Sequence, residues 1–332
     1  MDLFSGIGGF HLGLSSLGGI CVYANEWDSH ARATYESWYY PTTVDKSDIR
    51  EIEIFKVIPK HDILTAGFPC QPFSLAGVSK KNSMGMSHGF QDESQGNLFQ
   101  YLCKIIESKK PKVIFLENVK NLISHDHGRT WIVIQQNLES LGYTIFWQVI
   151  DAAAWVPQHR ERIFIIGFRN KSFTKNEIST FRFPSKPKKK PKLSTILERN
   201  PSKKYMLSDE MWRYLKSYVK KHQQLGNGFG YGIAERHGQA RTLSARYYKD
   251  GSEILIREPG WKNPRRLTPR EAARLMGFDG TWRKLMGMKF PQVISDTQAY
   301  RQFGNSVCPH IVRDIGIQIF KVLELRRRRL LR

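Results

Sequence analysis

Asp2-Leu3-Phe4-Ser5-Gly6-Ile7-Gly8-Gly9 decides the fold. Residues 1–4 read as a short strand, and the glycines after them make a turn in which the backbone can approach a ligand closely. Phe10, Leu14 and Leu17 then recur at helical spacing until Gly18-Gly19 ends the helix. Further apolar runs at 20–24, 62–66, 113–116, 144–150 and 163–168 are bounded by charge or glycine. Between two of them, Leu98, Phe99, Leu102, Ile105 and Ile106 form one face of a helix. Strands alternating with helices imply an α/β fold, a doubly wound, mostly parallel, Rossmann-like sheet covered on both faces.

The alternation stops at Lys186-Pro187-Lys188-Lys189-Lys190-Pro191-Lys192, where prolines and like charges forbid a core element. A basic, aromatic module follows. Ser208 is placed to cap a helix carrying Met211, Tyr214, Leu215, Tyr218 and Val219, which ends near Gly226. Beyond a glycine-rich stretch, 242–248 and 254–256 read as a hairpin around Lys249-Asp250-Gly251. Helical spacing resumes at Leu267, 311–325 makes a closing helix, and Arg326-Arg327-Arg328-Arg329 reads as a frayed basic tail. The expected division is a catalytic domain of 1–184 and 264–332, with a smaller module of 185–263 inserted.

The chain has 332 residues, 52 Lys+Arg against 30 Asp+Glu, and a net charge of +22. That excess argues for a polyanionic partner, nucleic acid or an anionic membrane surface. A mean hydropathy of −0.45 and the lack of a long apolar stretch argue against membrane spanning, and no Lys or Arg precedes Arg32 to mark a secretory signal. Cys21, Cys70, Cys103 and Cys308 are too scattered for a zinc site or a disulfide framework. Free thiols in a reducing, intracellular compartment are expected, with Cys21 and Cys103 as small buried hydrophobes.

Four features carry chemistry. The glycine turn lies at the carboxyl end of the first strand, and Glu26 ends the next strand, where its carboxylate can accept from ribose hydroxyls. This much fits NAD, FAD or S-adenosylmethionine, or a turn that merely packs. Gly67-Phe68-Pro69-Cys70-Gln71-Pro72-Phe73-Ser74 follows another strand, and its flanking prolines stiffen the backbone around a thiol, as a nucleophile requires. Glu117-Asn118-Val119 brings a carboxyl group to the same edge. In Gln158-His159-Arg160-Glu161-Arg162, strand alternation points both arginines the same way.

Together with Asn25-Glu26-Trp27, Gly96-Asn97-Leu98-Phe99, Arg266-Leu267-Thr268-Pro269-Arg270-Glu271 and Gln302-Phe303-Gly304-Asn305-Ser306-Val307, these blocks resemble the cytosine-C5 DNA methyltransferase family over nearly the whole chain. The resemblance implies a catalytic set of Cys70, Glu117, Arg160 and Arg162. Cys70 as thiolate adds to C6 of a cytosine flipped out of the duplex, Glu117 holds N3, and Arg162, supported by Arg160, binds O2. It also implies S-adenosylmethionine as cofactor. Phe4, Gly6, Ile7 and Gly8 surround the methionine, Glu26 meets the ribose, Trp27 stacks on the adenine, and Asp48 and Ile49 lie at its edge. Gly67, Pro69, Leu98, Asn305 and Ser306 complete that pocket, and no metal is required. Ser47-Asp48-Ile49 departs from the more usual Gly-Asp-Ile.

Residues 74–90 are similar to the family's mobile catalytic loop, with Ser74, Lys80 and Lys81 as expected DNA contacts. Residues 226–232, 240–256 and 74–83 look like the Dcm-type branch, which methylates the inner cytosine of CCWGG and has relatives reading CCNGG. Arg241 and Arg246 are candidates for bidentate contacts with guanine, the rival reading being phosphate contact alone. The expected partner is double-stranded DNA, met by a monomer in the cytoplasm of a bacterial or archaeal cell, at its nucleoid. A nicotinamide or flavin oxidoreductase explains the glycine turn and Glu26 but not Pro69-Cys70-Gln71 or the arginine pair. A tRNA cytosine methyltransferase of similar fold is disfavoured by the sizeable insert and by Gln71. A catalytically dead DNA-binding homologue is disfavoured because Cys70, Glu117 and Arg162 are all present.

Overall fold

A computed structural model describes residues 1–69, 98–226, 230–279 and 294–331. In chain order the elements are β1 (Asp2–Leu3), α1 (Gly9–Ser15), β2 (Ala24–Asn25), α2 (Ser29–Trp38), α3 (Ile54–Val57), β3 (Ile63–Gly67), α4 (Leu98–Lys109) and β4 (Val113–Val119). There follow α5 (Arg129–Ser140), β5 (Tyr143–Asp151), β6 (Glu161–Arg169), α6 (Lys175–Ile178), α7 (Asp209–Gln224), α8 (Pro269–Met276), α9 (Asp296–Asn305) and α10 (Pro309–Leu330).

The strands form one six-stranded sheet in the order β2-β1-β3-β4-β6-β5, parallel except that β6 runs against both neighbours. The expected mostly parallel α/β architecture is therefore present. One face packs Leu3, Leu64, Leu116 and Ile163 against Leu102, Ile106, Ile134 and Leu138 of α4 and α5. The other packs Val113, Phe115, Phe164 and Ile166 against Phe10 of α1 and Ile311, Ile315 and Ile319 of α10. Alternation along each strand feeds both layers, so the inner strands read as continuous apolar runs.

The structure corrects several expectations. Residues 20–24 supply only the first residue of β2, because Ala24 and Asn25 alone fall in register with Asp2 and Leu3, and Ile20 and Val22 face solvent. In α7, Trp212 and Leu215 turn inward onto Leu255 while Tyr214 and Tyr218 are exposed. Residues 242–256 form no hairpin. Leu255 bridges Ile233 and Ile256 bridges Arg265, while the chain winds around Tyr247. The buried Tyr247 hydroxyl donates to Ile254 O at 2.7 Å and accepts from Leu267 N at 2.7 Å, contacts that the turn provides and a ladder would not. The arginine run continues α10 rather than fraying: Arg326 Nε donates to Ser172 O at 2.9 Å, and Arg329 Nε to Glu177 at 2.8 Å.

Where the chain enters α8, Thr268 and Glu271 form a reciprocal capping box. Glu271 is fully buried and receives Arg265 through both terminal nitrogens, at 2.7 and 2.9 Å. Arg265 also reaches Glu258 at 2.7 Å, so the pairing spans the end of the basic module and the start of α8. Removing one partner of a buried pair strands the other charge. Glu271→Ala is therefore expected to lower unfolding free energy in urea by about 3–5 kcal/mol. A loss below 1 kcal/mol would show that the pair does not hold this junction.

Candidate active site

The turn after β1 is built from left-handed backbone, with φ of 52° at Phe4, 54° at Gly6 and 77° at Gly8. A Cβ on Gly8 would lie 2.3 Å from Tyr39 Cε2, and the Tyr39 hydroxyl donates to Gly8 O at 2.9 Å, so glycine and tyrosine fix the turn together. A Cβ on Gly6 would meet nothing within 4 Å. Glu26, at the end of β2, accepts from Gly6 N at 2.8 Å and from Asp28 N at 2.9 Å. Burial raises its pKa against the pull of those amides. Trp27 is 73% exposed beside it, whereas Ile7 and Ile49 are buried in the core. Asp48 is committed elsewhere: its carboxylate accepts from Arg50, which holds its pKa below the usual range.

Two of the catalytic candidates, Glu117 and Arg162, meet at the carboxyl ends of β3 and β4. Gly67 is the register partner of Glu117, and a Cβ there would lie 3.6 Å from Glu117 Oε2. Glu117 pairs with Arg162 Nε at 3.1 Å. Burial raises the Glu117 pKa, opposed by the positive charges of Arg162 and then Arg160. Because β6 is antiparallel to β4, its first residues lie at this edge, with Arg162 opposite Val119.

Arg160 is buried and donates to Leu243 O at 3.0 Å and to Gly304 O and Ser306 O at 2.8 Å each. Ser306 is buried and Asn305 exposed at the end of α9, Leu98 is half-buried at the start of α4, and Pro69 is exposed. Arg241 and Arg246 are exposed in the basic module, Arg241 reaching Gly230 O at 3.4 Å. Cys70, Ser74, Lys80 and Lys81 lie outside the described residues.

Three contributors escaped the reading of the sequence. Asn118 Nδ2 donates to Phe68 O at 2.9 Å, tethering the backbone that leads to Cys70. Gln158 is fully buried, giving Leu275 O a donor at 2.8 Å and accepting from Leu243 N at 3.1 Å. Asp2 is buried below the glycine turn and accepts from the Thr65 hydroxyl at 2.7 Å. Each stood inside a quoted motif; a polar residue in an apolar strand is the signal that could have singled out Asp2.

The model of the C-5 cytosine-specific DNA methylase family matches residues 1–321. The chain is 46% identical to the DNA-cytosine methyltransferase of Escherichia coli (strain K12), with 92% of this chain and 74% of that protein covered. It is 43% identical to the type II methyltransferase M.DsaV of Dactylococcopsis salina, covering 98% and 86%. Among solved structures, a mutant of Spodoptera frugiperda DNMT2 superposes with a TM-score of 0.71 at 20% identity, covering 97% and 98%.

Burial pushes the Asp2 carboxyl up to about 7. Its pKa in the unfolded chain is about 3.9, so the retained proton stabilises the fold fully below that pH. That contribution is lost as pH rises towards about 7. Asp2→Asn cannot ionise, so its stability relative to wild type is expected to improve between pH 4 and 7, by up to about 1.4 kcal/mol per unit. Urea unfolding across this range checks it, and a difference independent of pH would refute the burial of an ionisable Asp2.

Proposed function

The chain belongs to the C-5 cytosine-specific DNA methylase family, and from that premise we propose that it methylates the inner cytosine of CCWGG or CCNGG, flipped out of double-stranded DNA. It is a DNA (cytosine-5-)-methyltransferase and uses S-adenosylmethionine. The residues present fit that cofactor: the space above Gly6 is open, and the Trp27 ring is exposed beside the Glu26 carboxylate. When bound, the cofactor supplies a methyl group on a sulfonium sulfur. Phe4, Gly6, Ile7 and Gly8 would line its methionine end and Glu26 its ribose. Trp27 would stack on the adenine, with Asp48 and Ile49 at its edge. Gly67, Pro69, Leu98, Asn305 and Ser306 would close the pocket. Because Asp48 is already engaged by Arg50, its contact with adenine requires release of that pair.

The observation that carries the mechanism is the pairing of the buried Glu117 with Arg162 next to Gly67, three residues before Cys70. In the proposed reaction the Cys70 thiolate forms a bond to C6 and the displaced electron pair makes C5 nucleophilic. Glu117, its pKa raised by burial, holds N3 and favours its protonated form, while Arg162 binds O2. C5 then takes the methyl group, whose bond to the sulfonium sulfur breaks to leave a thioether. The C5 proton passes to solvent, and the electrons of the C5–H bond re-form the C5–C6 double bond as the bond from C6 to sulfur breaks and frees the Cys70 thiolate. Arg160 supports Arg162 from inside the protein.

Residues 185–263 would form the target-recognition module between the catalytic pieces 1–184 and 264–332. Ser74, Lys80 and Lys81 would close on DNA phosphates, and Arg241 and Arg246 would read guanine. The likeness of 226–232 and 240–256 to the Dcm-type module supports the CC…GG core. The enzyme would act as a monomer in a bacterial or archaeal cytoplasm, at the nucleoid.

Bisulfite sequencing of plasmid treated with the purified protein is expected to place 5-methylcytosine at the second position of CCWGG or CCNGG. Modification confined to sites without a CC…GG core, or transfer to tRNA alone, would overturn the reading. Cys70→Ala should abolish methyl transfer while leaving DNA binding, which rests on phosphate contacts, largely intact. Glu117→Gln should lower the single-turnover rate by roughly 10²–10³ with little change in binding, because its carboxyl acts as charge develops on the ring. An unchanged rate with only a raised Michaelis constant would remove Glu117 from that role.

A further inference from the structure

We propose that Arg160 is a positioning residue that ties the base-reading segment of the inserted module to the cofactor side of the catalytic domain. The inference rests on the reading of Arg162, Ser306 and Arg241 above. It concerns what sets their relative positions.

Arg160 and Arg162 stand two residues apart, yet only Arg162 meets the catalytic carboxylate. The Arg160 guanidinium is 2% exposed and spends its terminal nitrogens on three backbone carbonyls. Two of these, Gly304 O and Ser306 O, lie at the C-terminal end of α9, where helix carbonyls lack intrahelical partners and a cation is favoured. The third, Leu243 O, belongs to the inserted module. A side chain so enclosed has no route to a base, but it locks three segments to one another.

The segment around it is built for the same purpose. Ala240 N donates to Pro157 O at 2.8 Å, His159 N to Ala240 O at 2.9 Å, and the Thr242 hydroxyl to His159 O at 2.5 Å. Residues 157–160 and 240–243 thus run as a strap, and Arg241 rides on it. On the far side Gly304 presses against the module: a Cβ there would lie 2.4 Å from Ala245 N and from Ser244 O. Gly304 therefore lets α9 approach closely enough for Arg160 to reach both sides. Movement of the strap must displace Ser306, the base of Arg162, or both. Cofactor affinity and sequence discrimination are coupled through one guanidinium, and such coupling is reciprocal.

Arg160→Lys keeps the charge, but a single ammonium cannot hold all these carbonyls. Three readouts separate positioning from chemistry. The first is binding of S-adenosylhomocysteine by calorimetry. The second is equilibrium discrimination between the duplex that wild type prefers and one with a single base pair changed. The third is the single-turnover rate at saturation. We expect roughly tenfold weaker binding and roughly tenfold lost discrimination, a coupling of ordinary size that a role confined to the chemical step would not produce. A rate fallen about a hundredfold with binding and discrimination unchanged would make Arg160 a transition-state contact and overturn the proposal.

If the lysine variant does not fold, Thr242→Ala removes the exposed end of the strap. It should cost about threefold in discrimination, and no loss in that variant would equally overturn the inference. Using the duplex preferred by wild type, and reading binding, keeps this test separate from the identity of the site and from turnover. A wrong target sequence appears in the wild-type measurement alone.

Discussion

One carboxyl and two guanidinium groups gathered at the end of the sheet, Glu117 and Arg160 buried and Arg162 half-buried, are the constraint from which the rest follows. Glu117 comes from β4, and Arg160 and Arg162 come from the start of β6. Arg162 meets Glu117, with Arg160 close behind it, because β6 runs against β4, which brings the beginning of that strand to the edge where the others end. An ordinary parallel strand would have placed these arginines at the opposite side. Desolvation penalises each charge, and the arrangement survives because each has a partner: Arg162 has Glu117, and Arg160 has three carbonyls. The same desolvation that raises the Glu117 pKa suits it to the role proposed for it, sharing a proton with a ring nitrogen.

A second constraint acts at the glycine turn. Left-handed backbone at Phe4 is unfavourable for a residue with a side chain, so its neighbours must hold it. Tyr39 does so from α2 by filling the space a Cβ on Gly8 would need, and Glu26 does so from β2 by accepting the Gly6 amide. The turn is thus preset by the protein's own hydrogen bonds, which limits the ordering that a ligand bound there would require.

Much of this was legible in the sequence where short-range patterns dominate. The glycine turn, the run at 113–116, the helix from Leu98 and the closing helix from Ile311 all follow from local periodicity, and the structure contains each of them. Glu26, Glu117 and Arg162 followed from their places at strand ends. Legibility failed where tertiary contacts decide. Ile20 and Val22 look like strand residues but have no strand to pair with among the described residues. Tyr247 alternates as a hairpin residue should, yet the burial of its ring and hydroxyl winds the chain into turns. The terminal arginines read as a tail because nothing local shows that Glu177 and Ser172 wait beside α10. Likewise, alternation predicted a shared direction for Arg160 and Arg162 but could not show that one of them reaches carbonyls contributed by distant segments.

The way the inserted module is fastened bears on how such an enzyme can change its target. The strap at 157–160 and 240–243 is joined largely through main-chain amides and carbonyls, and the Arg160 staple also ends on main-chain carbonyls. The junction into α8 is held by Arg265, Glu258 and Glu271, buried beneath the module rather than displayed on it. Neither fastening specifies the side chains that face outward at Arg241 and Arg246. Substitution at those positions leaves the frame's hydrogen bonds in place at little cost to stability, as the base-reading role proposed for Arg241 and Arg246 requires. On the proposed reading, exposed side chains on a main-chain frame choose the base, charge at the sheet edge does the chemistry, and the Arg160 staple joins the two.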